Sequence, residues 1–231
     1  MKRFWKAVTV EEAGGGFQLA LDGRLIRTQG GQAQIVPTRT LAEAMAEEWS
    51  SQGEEVAPER FVFRDIADFA IDHVGADRAT TIETLLRYGE TDTLCYRADP
   101  DEPLYKRQRQ VWDPLLDALE ARHEVRLEPV SGVVHRPQRS ETMGRLREVL
   151  GAQDDFTLAA LNTLTPLAAS LAVALAAIEP GADARELFSA ANCEQDWQAE
   201  LWGWDLEAER AREHRLTAFE AAARFAHLAR T

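Results

Sequence analysis

Between Thr157 and Ile178 the chain reads TLAALNTLTPLAASLAVALAAI, 22 residues without a charge. A stretch of that length either spans a bilayer or is enclosed by protein. Its composition favours enclosure. Alanine dominates and adds little drive towards lipid. Asn162, Ser170 and three threonines are polar, Pro166 interrupts the run, and no Lys/Arg cluster flanks it. The expectation is a pair of helical pieces, or one kinked helix, buried in a helical domain. No membrane insertion is expected.

Far upstream the period is two rather than 3.6. Phe4, Lys6, Val8 and Val10 share one side of a strand that starts at MKRFWKAVTV, which has no apolar core or cleavage site of a secretory signal. Asp22-Gly23 between LAL and RLI signals a hairpin, and Gly30-Gly31 marks a second turn. Pro37 closes this antiparallel unit. Thr40 to Glu43 match a capping box, and Leu41, Met45 and Trp49 draw one apolar stripe along a helix that Gly53 can end. Trp49 stands in its last turn beside Glu48, where it can cap the core.

After Pro58 apolar residues recur every three or four positions. Phe61, Ile66, Phe69 and Val74 form one stripe, and Trp112, Leu115, Leu116 and Leu119 another. Asp113-Pro114 is read as a helix start, with the carboxylate capping and proline in the first turn. VRLEPVSGVVHRPQ is read as extended. The fold class is therefore α+β: a small N-terminal antiparallel β-rich domain with one long helix, residues 1–78, then a mostly α-helical C-terminal domain, residues 79–231.

Hydrophobic residues make up 45% of the chain, enough for a real core despite a formal charge of −13. That charge disfavours nucleic acid and anionic membranes and suits a basic or mixed-charge partner. Cys95 and Cys193 have neither disulfide-framework nor zinc-site spacing. The P-loop, dinucleotide, HExxH and GxSxG patterns are missing, and Gly14-Gly15-Gly16 precedes a strand rather than a helix. Asp65, Asp68 and Asp72 fall on one helix face and are read as solvated; a metal site built from Asp72 and His73 is disfavoured by the spacing. No cofactor, metal or catalytic residue is assigned.

What remains is CEQDWQAELWGWDLEAER, Cys193 to Arg210, with three of the six tryptophans among six acids. Wound as one helix, it puts Glu194, Trp197, Leu201, Trp204 and Ala208 on one face. Trp202 lies off that stripe and is expected to be exposed. Gly203 inside a helix costs about 1 kcal/mol relative to alanine and suggests close approach by another backbone. Glu194 either bonds an arginine or backbone N–H within the protein or, with Trp197 and Trp202, forms a binding patch in which tryptophan supplies area and acids supply specificity.

Taken in order, FWKAVTV, LDGRLIRT, PTRTLAEAMAEEWSSQGE, ETDTLCYR, LYKRQRQVWDPLL and CEQDWQAELWGWDLEAE resemble the assembly chaperone that attends the alpha subunit of the ATP synthase catalytic head, found in mitochondria and alphaproteobacteria. The resemblance implies a non-enzymatic protein that binds unassembled alpha subunit and keeps it from aggregating until beta replaces the chaperone. It places partner contact in the segment from Glu194 to Asp205, including Trp197 and Trp202, with Glu48-Trp49 as a second spot. It also leads one to expect a glycine before Ser170, where this chain has Ala168-Ala169, a difference read as packing, and an acid where this chain has Trp204. A monomer is expected, in the bacterial cytoplasm, or in the mitochondrial matrix for a processed eukaryotic form. Two other classes stay open: a carboxylate-dependent hydrolase using Glu194 with Asp196 or a histidine, and a generic helical adaptor.

Overall fold

The computed structural model describes residues 2–132 and 134–231. The chain forms two compact units. One comprises residues 1–78 with 154–160 and 221–231; the other comprises 79–153 and 161–220. Where the sequence reading gives all of 79–231 to a helical domain, two later segments thus return to the first unit.

The first unit is built on a hairpin. Strands β1 (Val8–Ala13) and β2 (Gly16–Leu21) pair antiparallel, with Val8 opposite Leu21 and Ala13 opposite Gly16. Gly14 and Gly15 both have positive φ, as a two-residue turn of this hand requires. The Asp22-Gly23 turn is present and leads into β3 (Arg24–Leu25), while β4 (Ile35–Val36) pairs with the start of β2. The strand expected from the N-terminus begins only at Val8. Before it Phe4 is exposed, and Trp5 is buried with its indole N–H donating to the Trp49 carbonyl at 3.2 Å.

Helix α1 (Arg39–Ser50) buries Leu41, Met45 and Trp49, as its stripe requires. Its cap is Thr38, whose hydroxyl accepts from the Leu41 N–H at 3.2 Å, two residues ahead of the expected Thr40. The helix ends at Ser51, before Gly53. Helix α2 (Val62–Phe69) continues into a π turn over Ala70–Val74. Of its three acids only Asp65 is solvated; Asp68 and Asp72 are not. Buried Asp68 accepts from the Gln34 side chain at 2.5 Å and the Gln29 N–H at 3.1 Å. Asp72 accepts from the Thr28 hydroxyl at 2.7 Å and the Gly30 N–H at 2.8 Å. Together they clamp the Gly30-Gly31 turn to the helix. A Cβ at Gly30 would lie 2.7 Å from the Asp72 carboxyl, so the clamp requires glycine there. Phe63 packs on Phe225 with ring centroids 6.0 Å apart, and the Thr38 hydroxyl donates to the Leu228 carbonyl at 2.5 Å, which fixes the returning segment.

The second unit is almost wholly helical: α3 (Arg78–Glu90), α4 (Pro103–His123), α5 (Ser140–Gly151), the later part of α6 (Asp155–Ala168), α7 (Leu171–Ala177), α8 (Ala184–Ala191), α9 (Cys193–Trp202) and the earlier part of α10 (Leu206–Leu228). Among the described residues, the segment read as extended contributes one short strand, β6 (Val130–Ser131), which pairs parallel with β5 (Tyr96–Arg97). Helix α4 runs unbroken through Pro114, correcting the helix start placed at Asp113. Proline cannot donate to the Gln110 carbonyl, but both residues are exposed, so that carbonyl is open to solvent. The Asp113 carboxylate instead pairs with Arg97 and Arg109, each at 3.0 Å. Trp112 is fully buried and donates to the Ala190 carbonyl at 2.7 Å, fastening α4 to α8.

The uncharged segment becomes two helices. Helix α6 closes at Ala169, which has φ +49, with Ser170 N–H donating to the Thr165 carbonyl and Ala169 N–H to the Pro166 carbonyl, both at 3.3 Å. This is a Schellman closure, which ordinarily takes glycine at the left-handed position. The alanine found there is therefore a matter of backbone conformation rather than packing. Ser170 then caps α7, accepting from the Val173 N–H. Among the described residues no helix is long and apolar enough to cross a membrane.

Candidate functional site

The stretch from Cys193 to Arg210 is two helices, not one. Helix α9 stops at Gly203, whose φ of +83 and ψ of +160 lie in a region essentially restricted to glycine. Nothing lies within 4 Å of where its Cβ would stand, so the residue serves the turn and not a close approach. After the break the single face drawn from Glu194 to Ala208 no longer exists. Asp205 begins α10, its carboxylate accepting from the Ala208 N–H at 3.2 Å.

The turn carries large apolar side chains into solvent. Trp202 is 85% exposed, Leu206 62%, Leu201 59% and Trp204 40%. Four such side chains within six positions form a patch rather than scattered surface residues. The sequence reading places Leu201 on the tryptophan stripe and does not use Leu206; the place of both on either side of a helix-breaking glycine is the signal for their exposure. Glu200, Asp205, Glu207 and Glu209 rim the patch and are exposed.

Two arginines hold this end of the unit. Arg107 of α4 forms a fork on Glu200 at 2.7 and 3.2 Å and stands 5.8 Å over the Trp197 ring. The hydrogen bond to Glu200 holds the Arg107 guanidinium above its ordinary pKa. Arg212 of α10 grips Asp196 at 2.7 and 2.9 Å and lies 5.7 Å over the Trp204 ring, joining α9 to α10 across the turn. Glu194 takes the internal partner that the sequence left open, although that partner is an amide: its carboxylate accepts from the buried Gln108 side chain at 2.5 Å while the residue stays exposed. Burial pushes the Cys193 thiol above its usual pKa and the Cys95 thiol up to about 12, so neither is a ready thiolate.

The structure thus groups Glu194, Trp197, Trp202 and Asp205 in the second unit, on α9 and its turn. Glu48 and Trp49 belong to the first unit and are turned inwards. Trp49 is 9% exposed, packed between Trp5 and Phe61 at 4.9 and 4.6 Å. The Glu48 carboxylate accepts from the Phe63 and Arg64 N–H groups at 2.7 and 3.0 Å, capping α2. Desolvation raises its pKa to about 7, against those two hydrogen bonds. Large aromatics and chain-capping acids at the end of a helix looked the same in sequence whether presented or enclosed. Among the described residues no cluster of His, Cys, Asp and Glu is arranged to hold a metal ion.

Fold and surface together define a class, an α+β protein that presents an aromatic-rich turn between two helices held by paired charges. The chain belongs to the ATP12 chaperone protein family, whose model matches residues 2–120. That match ends within α4, and likeness to solved structures carries it over the turn. The crystal structure of Atp12 from Paracoccus denitrificans superposes with a TM-score of 0.93 at 37% identity, covering 99% of this chain and 98% of that one. An aspartate-to-lysine mutant of the same protein matches equally. Among curated proteins, "Protein atp12, mitochondrial" of Schizosaccharomyces pombe is 25% identical over 214 residues, 87% of this chain and 74% of that protein.

Proposed function

We propose that this chaperone binds unassembled ATP synthase alpha subunit through the α9–α10 turn and shields its assembly surface from aggregation until beta takes its place. The observation that carries the reading is the exposed, acid-rimmed apolar patch from Leu201 to Leu206. Burying one such leucine contributes about 1.5–3 kcal/mol, while ordering a partner costs several. A patch of this size therefore suits a holder that must let go. The commitment of Glu194 to Gln108 and of Asp196 to Arg212 supports a non-enzymatic role over a carboxylate-dependent hydrolase. It acts as a monomer, in the bacterial cytoplasm or, for a processed eukaryotic form, the mitochondrial matrix; a bacterial and a mitochondrial relative support both settings.

The test is suppression of aggregation of isolated alpha subunit by wild type, Trp202→Ala and Glu194→Gln, with melting curves alongside. Trp202→Ala should melt normally and lose most protection, since its ring touches solvent rather than core. Full protection by a normally melting Trp202→Ala would remove the turn from the binding surface. Failure of the wild type itself would sink the chaperone-of-alpha reading.

A further inference from the structure

Helices α4 and α8 leave an open groove between them in the second unit. Its larger cavity, about 460 Å³, is floored by Val111, Leu115, Leu187 and Ala190. A second cavity of about 310 Å³ shares Val111, Glu186 and Ala190 with it and extends to Cys193 and Asp196. Asp196 also lines the depression beside Trp204, so the groove runs up to the exposed turn. From Arg122 to Arg107 its α4 wall covers about 22 Å, roughly four helical turns.

The charges along it are uneven. Each arginine on the walls is already paired: Arg107 with Glu200, Arg122 with Glu179 and Arg185 with Glu220. Asp183 and Glu186, both exposed at the start of the α8 wall, are in no ion pair among the described residues, although Asp183 caps α8 by accepting from the Glu186 N–H at 3.0 Å. An apolar floor with unneutralised acids on one rim fits a basic amphipathic helix, apolar at i, i+3 or i+4, and i+7. A small molecule would fit a groove this open less well, because its walls leave much of a ligand exposed.

Resting on the function proposed above, we propose that this groove takes one amphipathic helix of the alpha subunit, with its Lys/Arg side against Asp183 and Glu186, while the turn covers adjoining apolar surface. A photoreactive benzophenone amino acid placed at Val111, and separately at exposed Ala118, which lines a small cavity adjoining the groove beside Leu115 and Arg122, tests this in the full chain with isolated alpha subunit. Both should cross-link to one helical segment of alpha that carries Lys or Arg. Glu186→Gln should weaken binding about threefold, the scale of one exposed ion pair, with an unchanged melt. If alpha is protected from aggregation but neither probe cross-links to it, the groove proposal falls while the chaperone reading stands. Cross-links to a second copy of this chain would also overturn it. If alpha is not protected at all, the groove proposal falls together with the reading on which it rests.

Discussion

At the scale of single residues, two backbone positions decide how the helical segments end. Ala169 holds the left-handed conformation that closes α6, at φ +49, without the freedom of glycine. Ala169→Gly should therefore stabilise the protein by about 1 kcal/mol, which calorimetry would read as a rise of roughly 2–4 °C in Tm. An unchanged or lower Tm would mean that the alanine methyl contributes packing that outweighs its strain. Gly203 is the opposite case. Its φ and ψ are open to glycine alone, so Gly203→Ala should cost about 1–3 kcal/mol locally. The loss should show as faster hydrogen exchange in 198–208, with the core of the unit unaltered. Both positions were visible in the sequence as residues to question, but a left-handed φ is a property of the whole closure and cannot be read from one letter.

Among the elements, helices were the legible part, and their starts were not. The stripe of Leu41, Met45 and Trp49 and the split of the uncharged segment follow from periodicity and composition. Some caps are local, Thr38 for α1 and Ser170 for α7, but two more acceptors at helix starts come from elsewhere in the chain. Glu48, on α1, caps α2; buried Asp92 accepts from Leu94 N–H at 3.1 Å and Ala172 N–H at 2.9 Å, serving α7 from 80 residues away. No local motif announces such a pairing. Burial raises Glu48 to about 7 and Asp92 to about 6, in each case against the hydrogen bonds that favour the carboxylate. Since both folded values lie above the unfolded ones, the folded state binds more protons in between. Their contribution to stability is full below about pH 4 and is lost as pH rises through 6 and 7. Glu48→Gln should flatten the dependence of Tm on pH between about 4.5 and 7, and Asp92→Asn the part between about 4 and 6. A slope unchanged in both variants would mean that neither carboxylate titrates there. Asp68 and Asp72 show the same limit of sequence reading: their face was legible, their partners in the Gly30-Gly31 turn were not.

For the whole molecule, the β-then-α order was legible because the hydrophobic period changes along the chain, whereas the return of residues 154–160 and 221–231 to the first unit was not, because long-range packing leaves no periodic trace. Phe225 is fully buried and meets both Phe63 and Phe156. Phe225→Ala should cost about 3–5 kcal/mol. Hydrogen exchange should then quicken in α1 and α2 before it does in α4. Equal quickening in both would mean that the two units melt as one. The α9–α10 turn was legible as an acidic, tryptophan-rich stretch, but the extent of its exposure was not, because that depends on where Gly203 breaks the helix.

The return of residues 221–231 has a bearing on synthesis. A nascent chain that has already delivered the sheet, α1 and α2 must wait for side chains encoded more than 140 positions later before that unit closes. At ordinary elongation rates of about 5–20 residues per second the interval is roughly 7–30 s. During it Phe63 and its neighbours lack the ring that covers them, so this chaperone passes through an interval in which its own first unit stands open.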